Sequence, residues 1–184
     1  MTDAFDGLVG PLLAVEGGYV FDPHDAGGET NWGVTVAVAR ANGYFGQMKD
    51  MTREQAAGIY RAKFWQAPNL DKVAALSVRI AAELFDTGVN MGDATAGTFL
   101  QRALNVLNRE GKDYPDLKAD GSIGTGTLAA LAAFLRLRGQ PGEAVLLKAL
   151  NCLQGARYVE LAESRTADEE FEFGWLANRI GLAP

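Results

Sequence analysis

One glutamate and two aspartates stand close together near the start of the chain, in Glu16-Gly17-Gly18-Tyr19 and then Asp22-Pro23-His24-Asp25-Ala26-Gly27-Gly28-Glu29-Thr30-Asn31. A protonated carboxyl facing a second, ionised one is equipment for breaking a glycosidic bond: the first protonates the leaving oxygen, the second activates water or supports positive charge on the ring. Upstream, Phe5, Leu8, Val9, Leu12 and Leu13 recur at helical spacing, and Glu16 continues that apolar face. Gly17 and Gly18 end the helix, which sets the carboxyl near the negative end of the helix dipole. Burial and dipole then both favour the protonated form, as a general acid requires.

Ordinary roles compete with this reading. A glutamate in a last helical turn is more often exposed or paired with an arginine, and Asp22-Pro23 and Gly27-Gly28 are common turn dipeptides. Density sets the stretch apart, because Asp22, Asp25, Glu29, Thr30 and Asn31 crowd between Gly17-Gly18 and Trp32-Gly33.

Glu16-Gly17-Gly18-Tyr19, with Asp22-Pro23, Asp25, Gly27-Gly28, Thr30-Asn31 and Gly33-Val34-Thr35, closely resembles the signature of glycoside hydrolase family 108, whose members are peptidoglycan-cleaving N-acetylmuramidases. The similarity continues through Tyr60, Phe64-Trp65, Phe85-Asp86, Val89-Asn90 and Gly92. It then passes into a segment that resembles the family's companion peptidoglycan-binding domain, on Leu100-Gln101, Ala103-Leu104-Asn105, Asp120-Gly121, Gly124, Thr127, Gly174-Trp175-Leu176 and Asn178-Arg179. The first motif is long and specific; the second is weaker, since Asp-Gly-x-x-Gly is common in turns.

The resemblance implies that Glu16 is the catalytic acid. Asp22 and Asp25 both match family positions. An analogy with phage-type lysozymes, which place an aspartate nine residues after the glutamate and a threonine shortly beyond, favours Asp25 with Thr30. Asp25 as general base and Thr30 as water holder favour inversion, which requires carboxyls roughly 6.5 to 9.5 Å apart rather than about 5 Å. Tyr19, Asn31, Trp32 and Asn90 are the candidate sugar contacts, with core packing or turn formation as their ordinary alternatives; for Phe64 and Trp65 packing is the expected role. Asp86 either pairs with an arginine or faces the cleft.

The implied activity is cleavage of the β-1,4 bond between N-acetylmuramic acid and N-acetylglucosamine by an endolysin-like protein of phage or bacterial origin. The alternatives are a lytic transglycosylase, or a catalytically silent wall-binding or secretion-assisting module. No cofactor and no metal are implied: the only histidine, His24, lacks partners for a zinc site, and the aspartates around it do not fit an EF-hand. The single Cys152 lies in an apolar helical run and is expected to be a buried, inert thiol.

A chain of 184 residues with 48% hydrophobic content can build a proper core, as one domain or two small ones. The net charge of −6 with scattered basic residues argues against nucleic acid as a partner, and it offers no steering toward anionic walls. Asp3 and Asp6 replace a basic n-region, residues 12–15 are too few for a signal core, and no run is long enough to span a bilayer. The expectation is a product made in the cytoplasm without a Sec signal. It would act on glycan strands in the wall or periplasm after release by a holin or a secretion system, with no membrane insertion.

The elements that must position these residues read as helices joined by polar, glycine-bearing loops. Capping-box patterns at Thr52-Arg53-Glu54-Gln55 and Thr166-Ala167-Asp168-Glu169 mark helix starts. Helices are expected over 53–65, 73–86, 94–107, 125–137 and 143–161, with a glycine turn over 88–93, a long polar loop over 108–124 and a short hairpin over 32–35. Asp120-Gly121-Ser122-Ile123-Gly124 is either a wall-binding turn or a plain loop with Thr125 as helix cap. The expected fold is mainly α and lysozyme-like, with at most a small β-hairpin. It comprises two tightly packed parts, a catalytic part over 1–92 and a peptidoglycan-binding-like part over 93–184.

Overall fold

The computed structural model describes residues 4–21, 28–165 and 169–181. It is mainly α-helical, and its chain divides into two compact units, Met1–Ala67 and Pro68–Pro184.

The first unit opens with α1 (Ala4–Glu16), which buries Phe5, Val9 and Leu13 at i, i+4 and i+8. A three-stranded antiparallel sheet follows, in the order β1 (Val20–Phe21), β2 (Glu29–Asn31), β3 (Val34–Thr35). Asn31 pairs with Val34, so Trp32 and Gly33 form a two-residue turn, and both have positive φ (53° and 72°), as a hairpin of this twist requires. The expected hairpin is therefore present, with β1 added along its edge; two residues are too few for an alternation to show in sequence. Thr35 caps α2 (Val36–Ala41) by accepting from the Val38 amide.

The capping box expected at Thr52 is formed. Gln55 N–H donates to Thr52 Oγ1 at 3.2 Å, and Thr52 N–H donates to Gln55 Oε1 at 2.9 Å. From there α3 (Arg53–Tyr60) runs into a π-helical turn, Arg61–Gln66, that buries Trp65 against Phe5 with ring centroids 5.7 Å apart. Packing is thus the role of Trp65. Arg61 ties back to α1 through Asp6 at 2.6 Å, with its guanidinium 4.3 Å from the Phe5 ring centre.

The second unit contains α4 (Leu70–Ala74), α5 (Val78–Met91), α6 (Asp93–Leu107), α7 (Thr125–Ser164) and α8 (Glu169–Arg179). Its core joins Ile80, Leu84 and Phe85 of α5, Leu100 and Leu104 of α6, and Leu131, Phe134, Leu146 and Leu150 of α7. The helix expected over 73–86 is in fact two. Ser77 stops the first and caps the second, accepting from the Ile80 amide at 3.1 Å, and α5 then continues through Gly88 to Met91. The turn shrinks to Gly92, whose φ of 91° breaks the helix. The two helices expected beyond residue 124 are present within α7, separated by a break at Gly139 (φ 57°, ψ −154°) shortly before Pro141. The expected cap at Thr125 is replaced by Gly124, which offers no side chain, and Thr125 is the first helical residue. The pattern at Thr166 lies outside the described residues.

The loop between α6 and α7 is held by one polar stripe of α6. Gln101 Nε2 donates to Asp120 Oδ1, to the Ser122 carbonyl and to Thr127 Oγ1, while its Oε1 accepts from the Gly121 amide at 2.8 Å. Asn105 exchanges two hydrogen bonds with the backbone of Leu117, and Asn108 binds the Tyr114 carbonyl and Asp116. Spacing of four and three residues places all three amides on one helical face.

Candidate active site

Glu16 is the last helical residue of α1, and Gly17 follows at φ 76°, the left-handed conformation that ends a helix and favours glycine. The side chain of Glu16, together with Asp22, Asp25 and His24, lies outside what the structure describes. The geometry of the described residues around this segment is specific. The chain leaves α1, enters β1 through Tyr19, and returns through Gly28 (φ 67°) into β2.

Tyr19, Val20 and Phe21 are exposed to 43%, 57% and 55%, which is unusual for three successive large apolar side chains. Strand alternation puts Tyr19 and Phe21 on one face and Val20 on the other, and Phe21 stands opposite Glu29 in the ladder. Phe21 was not among the residues singled out from sequence; the alternation directly after Glu-Gly-Gly was the available signal. Thr30 is half-buried at the centre of the sheet, paired with Val20 on one side and Thr35 on the other.

Asn31 and Trp32 have internal partners. Asn31, only 3% exposed, donates from Nδ2 to the Met48 carbonyl at 2.7 Å, and Trp32 donates from Nε1 to the Met51 carbonyl at 3.0 Å. Together they fasten the hairpin to the segment before α3, and the Trp32 bond holds a bulky residue in a left-handed conformation that costs on the order of 1–3 kcal/mol. Asn90 belongs to the second unit, where it is exposed on α5 and donates to the Asp86 carbonyl at 2.7 Å.

Asp86 pairs with an arginine. Its Oδ1 accepts from Arg179 Nη1 and its Oδ2 from Gln154 Nε2, both at 2.8 Å. Around it lies a polar cluster that sequence reading did not assemble. Glu83 stands one turn earlier on α5, and burial first, then the Asp86 charge, push its carboxyl up to about 7 against an Asn151 hydrogen bond that works the other way. Tyr158 stacks on Trp175 with centroids 5.1 Å apart, and burial, reinforced by Asp86, pushes its hydroxyl up to about 12.

Cys152 is exposed, contrary to expectation, because it falls on the outer side of α7 between the buried Leu150 and Asn151 and the buried Gln154. Among the described residues no group of three His, Cys, Asp or Glu side chains is placed to hold a metal ion, and no helix is long and apolar enough to cross a membrane.

Comparison with known proteins divides the chain differently from its compact units. Residues 9–92 match the family model for glycosyl hydrolase 108, and residues 95–180 match that for a predicted peptidoglycan domain. A solved structure, described as the structure of Brucella abortus SagA, is similar over 98% of this chain and 98% of that one, with 24% identity and a TM-score of 0.61; the likeness is one of fold. No curated protein matches the chain.

Proposed function

Because the chain belongs to the glycosyl hydrolase 108 family through its first half and carries a predicted peptidoglycan domain as its second, we propose that it hydrolyses the β-1,4 bond between N-acetylmuramic acid and N-acetylglucosamine in peptidoglycan. Glu16 donates its proton to the leaving glycosidic oxygen. Asp25 takes a proton from water as that water attacks the anomeric carbon, with Thr30 holding the water and Asp22 as the alternative base. No cofactor enters the reaction. The place of action is the cell wall, reached through a holin or a dedicated export system.

The observation that carries this reading is the ending of α1. The family-matched glutamate stands where the helix stops at Gly17, and the chain then presents Tyr19 and Phe21 on one exposed strand face within five residues. Aromatic faces stack on the apolar sides of pyranose rings, so this strand suits a glycan beside the acid.

The test is Glu16→Gln on purified sacculi. Wild-type protein should clear the suspension and release reducing sugar ends, and the variant should lose at least about a hundredfold, the low end of what a positioned general acid contributes. Muropeptides ending in anhydro sugars would instead identify a transglycosylase, and a wild type that binds walls without clearing them would identify a silent module.

A further inference from the structure

The carboxy-terminal helix α8 is held by a small set of ties gathered toward its end. Arg179 donates to Asp86 of α5 at 2.8 Å, and the Gly181 amide donates to Asn151 Oδ1 of α7 at 2.9 Å. Trp175 stacks on Tyr158, and the Ile180 side chain lies against Gly155.

Glu83 adjoins both polar ties. It sits three residues before Asp86 and so shares its helical face, and Asn151, which receives Gly181, is also the α7 side chain that acts on the Glu83 carboxyl. Its Oε1 is buried with no partner among the described residues, as are Gln154 Oε1 and the Tyr158 hydroxyl. The titratable and charged groups of this cluster are Asp86 on the same helix, Tyr158 on α7 and Arg179 on α8. Arg179 is engaged by Asp86, and the charge that acts on Glu83 is the negative one of Asp86. Among the described residues a carboxylate at this position has no cation of its own, and it gains hydration by loosening the packing that joins α5, α7 and α8.

We propose that the docking of α8 is proton-gated: a protonated Glu83 lets α5, α7 and α8 close on one another, and its ionisation releases the helix. The inference concerns the second unit alone and stands whether or not the chain cleaves peptidoglycan. The direction follows from the proton. Docked, the group holds its proton up to about pH 7; released into water, it returns to the ordinary value near 4.5. The proton's contribution to docking is therefore full below about 4.5 and is lost as pH rises through about 7.

A second carboxyl must be separated from the first. Glu172, Trp175 and Arg179 are spaced i, i+3 and i+7 along α8, and both oxygens of Glu172 are buried without a partner among the described residues.

The experiment is hydrogen exchange on the full-length protein, followed by mass spectrometry of peptides covering 169–179, with rates divided by the intrinsic exchange rate at each pH. Between pH 5 and pH 8.5 wild-type protection should fall by on the order of tenfold or more, under a ceiling of roughly 75-fold, the part of the shift from 4.5 to about 7 that this range covers. Glu83→Gln should keep at pH 8.5 the protection it has at pH 5, while Glu172→Gln should follow wild type. Constant protection in wild type, a fall in Glu83→Gln equal to that of wild type, or a flat profile in Glu172→Gln would each overturn the proposal. If Glu83→Gln fails to fold, carboxyl carbon chemical shifts of the wild type serve instead. A Glu83 midpoint near 7 that coincides with the loss of α8 protection supports gating, and a midpoint below about 5 rejects it.

Discussion

Arg179 Nη1 lies 2.8 Å from Asp86 Oδ1, closing a loop of 93 residues between the carboxy-terminal helix and the middle of α5. Asp86 belongs to the segment that matches the hydrolase family and Arg179 to the segment that matches the peptidoglycan domain, yet both lie in one compact unit, 68–184. The helix α5 thus continues the first family's sequence while burying Ile80, Leu84 and Phe85 in a core shared with α6 and α7. A boundary drawn through Gly92 cuts that core.

A fragment ending at residue 92 should therefore not fold as an independent domain. It would carry α5 with its apolar face uncovered, and each large side chain so exposed forfeits about 1.5–3 kcal/mol. Trypsin should degrade the fragment under conditions that leave the full chain intact, and the 68–184 fragment should show a cooperative thermal transition. A protease-resistant, cooperatively melting 1–92 fragment would refute this.

Replacing Arg179 by alanine should cost about 1 kcal/mol, because the pair is partly exposed and Asp86 keeps its bond from Gln154. For a chain of this size that corresponds to a melting point lower by about 2–4 °C. A double-mutant cycle with Asp86→Asn, read by calorimetry, should return a coupling energy of the same sign; purely additive effects would show that the contact contributes nothing.

Gly97→Ala should be far more damaging than a glycine-to-alanine change in a helix usually is. A methyl group there would stand 2.0 Å from the carbonyl oxygen of Gly121, and Gly121, at φ 80°, is itself pressed against Ala94. The obstacle is backbone held by Gln101, which cannot swing aside. A loss of about 1–3 kcal/mol is expected where helix propensity alone predicts a gain of nearly 1 kcal/mol, and urea unfolding decides between the signs.

The same contacts show what was legible in the chain and what was not. The Thr52 capping box, the helix expected over 94–107 and the short hairpin expected over 32–35 depend on neighbours within a few residues, and each is present, the hairpin turning at Trp32-Gly33. Ser77 is a local signal too, but the apolar run on either side of it reads as one helix until the cap is seen. Asp86 had two open roles, because its partner lies 93 residues away and no local pattern selects among the distant arginines. The turn over 120–124 had two open roles, and the partners of Asp120 are Gln101 of α6 and the Ser122 amide, so its hydrogen bonds serve the loop before α7. Asn31 and Trp32 are candidate sugar contacts with packing or turn formation as the alternative, and no local pattern announces that their donors go to the carbonyls of Met48 and Met51, 17 and 19 residues on.

Phe21 is the described residue on which the glycan reading can be probed without touching the acid. Its side chain is exposed and shares its strand face with Tyr19. Loss of one aromatic stacking face is worth about 0.5–1.5 kcal/mol, so Phe21→Ala should raise KM on soluble glycan strands by up to about tenfold. Because stacking holds ground state and transition state alike, kcat should stay within about twofold of wild type. Phe21→Trp should restore the wild-type KM, which a merely structural role of the side chain would not predict. An unchanged KM in Phe21→Ala, or a fall in kcat that Trp does not rescue, would remove this strand from the substrate path.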